Sequence, residues 1–245
     1  MKHLNHERHY RGICNPGPDE LSYQVVIEQS DLFIISRTDV KSMILDRLNI
    51  IRREIKGYIY LNPDFSSSLI PVEVKVNSPE IIRNMAHAAE LFGVGPMAAV
   101  AGAISQDIAD HVSNISPDIL VENGGDIFVH STKDRTVGLL PHPDEPVTLG
   151  IKIPGAETPC AICSSSSTIG HSLSLGHGDL VAARSKSGAI ADAAATAICN
   201  MLHSRHSLDT LGSMKEELQK KGVTGLLAQI GADMLVWGNI ELTMV

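Results

Sequence analysis

The run SKSGAIADAAATAICN at 185–200 restricts the architecture more than any other part of the chain. Nearly every side chain in it is small, so a helix formed here presents no bulky stripe. It must pack backbone to backbone, or leave room for a ligand. One carboxylate and one hydroxyl interrupt the alanines. Asp192 and Thr196 are four apart, so on a helix they share one face, one turn from each other. Pattern alone leaves two readings open. Carboxylate and hydroxyl oxygens are hard ligands suited to Mg²⁺, which takes one or two protein carboxylates and keeps positions for water or phosphate. Equally, Asp192 caps or solvates a helix turn while Thr196 bonds back to a carbonyl.

The chain around this run is that of a globular protein. It has 245 residues, 43% of them hydrophobic, ample for a core, and is expected to form one α+β domain over 1–245. The net charge of −8 and the 4% aromatic content argue against a nucleic-acid partner, which calls for a basic footprint or stacking rings. A nucleotide held by backbone amides and a cation remains compatible with that charge. No apolar run reaches the ~18–20 residues of a membrane span. The start, MKHLNHERHYRG, lacks the apolar core of a signal peptide, so the cytoplasm is the expected location. Cys14, Cys160, Cys163 and Cys199 are too few for a disulfide framework and are expected to be reduced.

Periodicity places the elements. ERHYRGIC reads as a strand, and 23–28 with 32–36 as a hairpin. Residues 38–59 carry apolar residues at helical spacing behind a Thr38 or Asp39 cap. LNPDFSSS reads as a loop and VEVKV (72–76) as a short strand. A helix opens at Ser78-Pro79 and closes on Gly93, and a small-residue helix runs from Pro96 to about 115. DILVENGGDIFVHS reads as strand, Gly-Gly turn, strand. RTVGLLP, PVTLGIKIP, TPCAICS and LVAARS follow as strands. SLDTLGSMKEELQKKG reads as one amphipathic helix, and ADMLVWGNIELTMV as a terminal hairpin turning at Gly-Asn. GAISQDIAD (102–110) echoes GAIADAAAT (188–196) in its Gly-Ala-Ile start, which fits either coincidence in Ala-rich sequence or a duplicated unit. The Ala- and Gly-rich helices suggest close subunit or domain packing, the first of which would make a homodimer.

Four further groups bear chemistry. In ENGGDI (122–127) two glycines allow positive φ and close approach of a ligand, with Asp126 just after the turn; an ordinary hairpin has the same look. SSSSTIGHS (164–172) offers hydroxyls and amides able to cradle phosphate, with His171 and His177 nearby as acid/base groups; a polar linker is the alternative. Cys160 and Cys163 suggest redox or zinc chemistry, yet their odd spacing puts them on opposite faces of one strand, as for ordinary strand cysteines. His3, His6 and His9 read as surface histidines.

Taken in order, the small-residue helix at 96–115, ILVENGGDIFV, the Ser/Thr loop at 164–168 and VAARSKSGAIADAAATAI resemble the ApbE superfamily, whose best-known members are Mg²⁺-dependent FAD:protein FMN transferases. Residues 120–127 resemble that family's "LVNIGGDI"-type turn. Residues 191–197 resemble its "ADALATA"-type helix, and 165–170 its "TSG" loop. The resemblance spans roughly residues 90–200. It implies a T-fold-like α+β architecture of antiparallel sheets packed with helices, with internal duplication. By resemblance, Asp192 and Thr196 hold Mg²⁺, with a backbone carbonyl near Ala101 or Gly102. Asn123, Gly124, Gly125 and Asp126 line a flavin or nucleotide site, FAD being the first ligand to consider. Ser166, Ser167, Thr168 and Gly170 lie by the phosphates. The chain departs from the transferases at two points. GVGPMAAVAGA stands where they carry a "DLGGIAKG"-type acid and lysine, and GHSLSLGHGD stands in place of their "H-x-x-D-P-x-T-G" segment. The resemblance therefore implies a divergent branch. Two functions follow from it: a Mg²⁺-dependent enzyme acting on a flavin or nucleotide pyrophosphate, or a binding or assembly protein without turnover.

Overall fold

A computed structural model describes residues 16–139, 149–167 and 178–245. The first expected hairpin forms from β1 (Leu21–Ile27) and β2 (Ser30–Ser36). Helices α1 (Lys41–Leu61), α2 (Asp64–Ser67), α3 (Glu80–Phe92) and α4 (Val100–Val112) precede a second hairpin, β3 (Ile119–Asn123) and β4 (Asp126–His130). Strands β5 (Arg135–Leu139) and β6 (Leu149–Ile153) come next, then β7 (Cys160–Ser165), β8 (Leu180–Ser185) and α5 (Gly188–Met201). Helices α6 (Arg205–Ser213) and α7 (Lys215–Lys220) lead to β9 (Val223–Ile230), β10 (Asp233–Gly238) and β11 (Glu241–Met244).

Eight strands form one antiparallel sheet in the order β1-β2-β3-β4-β7-β8-β9-β10, and β11-β6-β5 form a second. The large sheet is sandwiched. On one face Ile34, Val121 and Phe128 meet Ile44, Leu48, Met85 and Ile108 of the helices. On the other, Ile35, Leu120, Ile127 and Val129 meet Val137 and Ile151 of the small sheet. Period-2 alternation thus sends adjacent apolar residues to opposite cores, which is why these strands read as unbroken apolar runs. Cys160 packs between the sheets and Cys163 beneath the helices, on opposite faces as their spacing requires. A third cluster, with Ile198, Leu211, Leu226 and Trp237, lies under α5 to α7.

A strand pair, one or more helices and a second strand pair occur twice in the large sheet, and the halves join at β4–β7 through Ile127 and Ile162. The turns repeat as well. Asn123 pairs with Asp126 across Gly124-Gly125, and Ile230 pairs with Asp233 across Gly231-Ala232. Gly124 (φ 70°) and Gly231 (φ 55°) take the left-handed conformation in these two turns.

Several expectations change. The cap of α1 is Val40; the Asp39 carboxylate instead accepts the Lys41 amide at 3.1 Å. Helix α3 starts one residue late, with Pro79 as its cap. The Pro96 helix opens as a 3-10 turn, Pro96–Ala99. LNPDFSSS contains α2, because Phe65 is drawn into the core. VEVKV joins neither sheet. The expected surface helix at 207–222 breaks at Met214 into α6 and α7. The terminal hairpin does not form. β10 pairs with β9, whereas β11 crosses to the other sheet and pairs with β6. Gly238 (φ 70°) permits the crossing, since a Cβ there would lie 2.2 Å from the Thr224 carbonyl oxygen. ERHYRGIC, HPDE and the N-terminal histidines lie outside the described residues. No single helix among the described residues is long and apolar enough to cross a membrane.

A buried ion pair anchors the first described residues. The Glu20 carboxylate is held by the Arg135 guanidinium, by Lys133 at 3.2 Å and by the Gly17 amide at 2.7 Å. Burial alone would raise its pKa, but the Arg135, Gly17 and Lys133 contacts outweigh burial and lower it to about 2. A depressed carboxylate stabilises the fold above its ordinary pKa and loses that contribution as pH falls through the folded value. The melting-temperature gap between wild type and Glu20→Gln should therefore be widest above about pH 5 and close toward pH 2. A gap independent of pH would refute this account.

Candidate functional site

Small residues bring α4 and α5 into backbone contact. A Cβ on Gly102 would sit 2.2 Å from the Gly188 carbonyl oxygen, and one on Gly188 would sit 2.1 Å from that of Gly102. The contact is reciprocal in its hydrogen bonds. The Gly102 amide donates to Asp192 Oδ2 at 2.9 Å, and the Gly188 amide donates to Gln106 Oε1 at 2.8 Å. Each acceptor lies four residues past the glycine of its own helix, so GAISQ and GAIAD occupy matching places about a local twofold. Each supplies a polar side chain to the N-terminal amides of the other helix, where partners are otherwise lacking. Both helices are therefore buried against each other within one chain, and the expected reason for a homodimer falls away.

The two mates differ in charge. Gln106 satisfies its amide as a neutral group. Asp192 does so as an acid that is 6% exposed, and burial pushes its pKa up to about 7 although the Gly102 and Ala101 amides pull it down. Asp126, after the Gly-Gly turn, is also buried. Its pKa is raised well above the carboxylate range, first by burial and then by the Asp192 charge; the Ser164 amide and the Cys163 thiol oppose the rise. Among the described residues no lysine, arginine or histidine is paired with either acid. Two carboxylates thus share a buried space with no counter-charge, an arrangement that costs several kcal/mol unless a proton or cation enters.

Local geometry fixes both acids. Gly124 and Gly125, at φ 70° and 107°, make the tight turn, which is closed by the Gly125 amide on Glu122 Oε1 at 2.8 Å. The turn is tied to the neighbouring strand. The Ser164 amide donates to Asp126 Oδ1 at 3.2 Å, and the Ser164 hydroxyl to the Gly125 carbonyl at 3.2 Å. The Asn123 side-chain amide reaches the Ala101 carbonyl at 3.4 Å, and the Ser105 hydroxyl donates to the Asp126 carbonyl at 3.0 Å.

The structure therefore joins Asn123, Gly125, Asp126, Asp192 and the Ala101 carbonyl through direct contacts or mutual charge, and sets Thr196, itself buried, one turn beyond Asp192. Gly124 is the outer residue of the turn. Ser166 is buried beyond Ser164. Ser167 does not stand free for a phosphate, because its amide and hydroxyl both donate to the Gly178 carbonyl, at 3.0 and 2.9 Å. Thr168, Gly170, His171 and His177 lie outside the described residues. Sequence reasoning missed Ser105 and Gln106, read Cys163 as an ordinary strand cysteine, and placed Ser164 in the phosphate loop rather than beside Asp126. The Cys163 thiol donates to the Gly188 carbonyl at 3.7 Å and lies against the Asp126 carboxylate, and burial, then the charges of Asp126 and Asp192, keep it protonated. The missing signal was the β4–β7 register, which sets Cys163 across from Asp126 and which no local pattern reveals.

No three His, Cys, Asp or Glu side chains among the described residues form a metal-ligand group. A cation here would rest on the sparse hard set of the Asp192 carboxylate, the Thr196 hydroxyl and the Ala101 carbonyl, which suits Mg²⁺ with its retained waters. A separate cleft of about 330 Å³ opens on the Gln106 side of the helix pair. Its lining includes the Arg47–Asp107 ion pair at 2.6 and 2.7 Å, while Gln106 and Asp110 are held from outside it by the Gly188 amide and His130.

Residues 11–234 match the family model described as AbpE bacteria. A UPF0280 protein of Methanocaldococcus jannaschii is 38% identical over 193 residues, covering 77% of this chain and 78% of the relative. A UPF0280 protein of Methanopyrus kandleri is 40% identical over 185 residues, covering 74% and 73%. Among solved structures, a point mutant of the flavin transferase ApbE from Vibrio cholerae superposes with a TM-score of 0.57 at 11% identity, covering 90% of this chain and 97% of that one. The ApbE protein of Thermotoga maritima gives 0.56 at 13% identity, covering 91% and 96%. These likenesses establish the same fold.

The helix contact generates a paired prediction. Alanine in a helix ordinarily improves on glycine by about 0.5–1 kcal/mol. At Gly57 of α1 an added Cβ meets nothing within 4 Å, so Gly57→Ala should raise the melting temperature by a few degrees. At Gly102 the added Cβ collides with a backbone carbonyl, and overpacking of ~1–3 kcal/mol or more wins. Gly102→Ala should lower the melting temperature or prevent folding. Equal shifts for the two variants in calorimetry would show that the helices are not in contact.

Proposed function

The chain belongs to the AbpE family, and we propose that it binds a flavin- or nucleotide-type pyrophosphate together with Mg²⁺ and cleaves or transfers across that pyrophosphate. The observation that carries this reading is the buried Asp126–Asp192 pair, which has no counter-charge among the described residues. Capping alone does not account for the acid at 192, because neutral Gln106 performs the same task at the matching place.

Asp192, Thr196 and the Ala101 carbonyl would hold the cation. When bound, Mg²⁺ would offset the negative charge of phosphate oxygens as the bond to the leaving group breaks. The remaining work falls to the chain. The Gly124–Gly125 turn removes side chains where a planar ligand would approach the backbone. Asn123 orients the Ala101 carbonyl through its amide. Asp126 is fixed by the Ser164 amide and the Cys163 thiol. Ser166, Ser167, Thr168 and Gly170 belong to the segment assigned to the phosphates, with Ser167 serving to join its described ends. His171 or His177 is assigned the proton transfer. The chain lacks the acid-lysine and Asp-Pro-x-Thr-Gly elements of the resembled transferases, so the reading names no protein acceptor.

The test is incubation of the purified protein with FAD and Mg²⁺, with a chelator control, followed by chromatography for FMN and AMP. The expected result is Mg²⁺-dependent product, at least 100-fold reduced by Asp192→Ala. FAD with Mg²⁺ at about 100 times Kd should also stabilise the protein by roughly 2.7 kcal/mol. Stabilisation without product would leave a binding protein. Neither product nor any ligand- or metal-dependent thermal shift would overturn the reading.

A further inference from the structure

The thiol of Cys163 lies between the supports of the two buried acids. The β4–β7 register pairs Ile127 with Ile162, which sets Cys163 beside Asp126 on the neighbouring strand. Alternation turns Cys163, like Phe128, toward the helices. On that face its Sγ lies against the Asp126 carboxylate and 3.7 Å from the Gly188 carbonyl oxygen in the first turn of α5. The helix ladder brings the Asp192 amide to that same carbonyl, four residues along. The thiol is fully buried, and burial, followed by the charges of Asp126 and Asp192, holds it protonated. Ala161 and Ala183, beside it in the sheet, carry no polar side-chain atom. Position 163 carries one, where the strand meets both acids.

We propose that Cys163 is a positioning residue for the cation of the function proposed above: by touching the Asp126 carboxylate and the Gly188 carbonyl at once, it fixes Asp126 relative to the turn of α5 that carries Asp192. The inference rests on that reading and adds to it a residue that is not among the assigned ligands. Three ties hold Asp126, and each runs to a different element. The Ser164 amide of β7 donates to Oδ1 at 3.2 Å, and the Ser105 hydroxyl of α4 donates to the peptide carbonyl at 3.0 Å. Neither reaches α5, whereas Cys163 does. Residues that orient metal ligands from behind are worth about 10–100-fold in metal affinity or activity. A methyl group at 163 would leave space beside a buried carboxylate, which could then turn away from Asp192 or draw in water.

Calorimetric titration of Mg²⁺ into the full chain in the presence of FAD tests the inference, with Cys163→Ala and Cys163→Ser compared. Cys163→Ala should raise the Mg²⁺ Kd about tenfold or more, while its melting temperature without Mg²⁺ falls by only a few degrees. Cys163→Ser keeps a hydrogen-bond donor in place and should return Kd to within about threefold of wild type. Packing alone would not separate the two variants, because serine, like alanine, is smaller than cysteine. A second measurement needs neither turnover nor a bound cation. In the metal-free protein the infrared S–H stretch of Cys163, assigned by difference against Cys163→Ala, should shift in Asp126→Asn, as for a thiol in contact with that carboxylate. Equal Mg²⁺ affinities in wild type and Cys163→Ala, a serine variant no better than alanine, or an S–H band that ignores Asp126→Asn would each overturn the inference and leave the proposed function standing. No Mg²⁺ binding by the wild type would overturn both.

Discussion

Everything at the candidate site depends on two helix backbones that touch. Gly102 and Gly188 approach so closely that neither tolerates a Cβ, and this proximity lets a side chain one turn along each helix reach the first amides of the other. The contact follows from composition. A helix of alanines and glycines has little side-chain volume to keep a neighbour at the usual 8–10 Å. The polar residues embedded in it then become reachable only by whatever lies against that face: the strand ends at Asp126 and Cys163, and any ligand that enters there.

The local twofold makes the site interpretable without reference to relatives. Two similar helix starts, GAISQ and GAIAD, solve the same capping problem, one with an amide and one with a carboxylate. The neutral solution carries no burial penalty for charge, whereas the acidic one does. On the proposed reading, an acid where an amide suffices, set against a second buried acid, gives up stability for a function that needs negative charge. A helix start does favour an acid electrostatically, by about 0.3–1 kcal/mol at exposed positions. That is small beside the cost of confining two carboxylates together. The hairpin turns show a similar contrast. Asp126 and Asp233 occupy matching positions after left-handed glycines, but Asp126 is enclosed by α4 and β7 while Asp233 stays partly exposed and meets Arg205 at 3.6 Å.

What the sequence disclosed follows the range of the forces involved. The Gly-Gly turn, the 185–200 helix and the Asp192–Thr196 face are set by residues a few positions apart, and pattern revealed them. The identity of a strand's partner is not local. β11 looks like the return arm of a hairpin, yet Ile240 and Leu242 find their apolar surroundings between the two sheets, so the chain crosses over at Gly238. VTGLLAQI, which forms β9, is buried on both faces over most of its length and shows no alternation to mark it. Cys163 is a small apolar-looking residue in a strand, and its contact with Asp126 depends on a register between strands some 35 residues apart in the chain. VEVKV shows the reverse failure. Its alternation is that of a strand, but its own chain offers no edge beside it.

The placement of charge across the fold separates scaffold from site. Glu20 and Asp118, two buried acids that hold the structure together, are matched by cations. Glu20 lies on Arg135, and Asp118 accepts from Thr132 and Ser131 with Arg37 beside it. Both end with lowered pKa values although burial acts to raise them. Buried Arg184 likewise faces Glu157 at 2.7 Å. Asp126 and Asp192 run the other way: burial wins, and each is disfavoured as an anion. Matched charges fix a fold whether or not a ligand is present. An unmatched pair is relieved by a proton, or, on the proposed reading, by a cation that takes the proton's place. Cation binding at α4, α5 and the Gly-Gly turn would then release a proton from the pair, which a capping arrangement would not do.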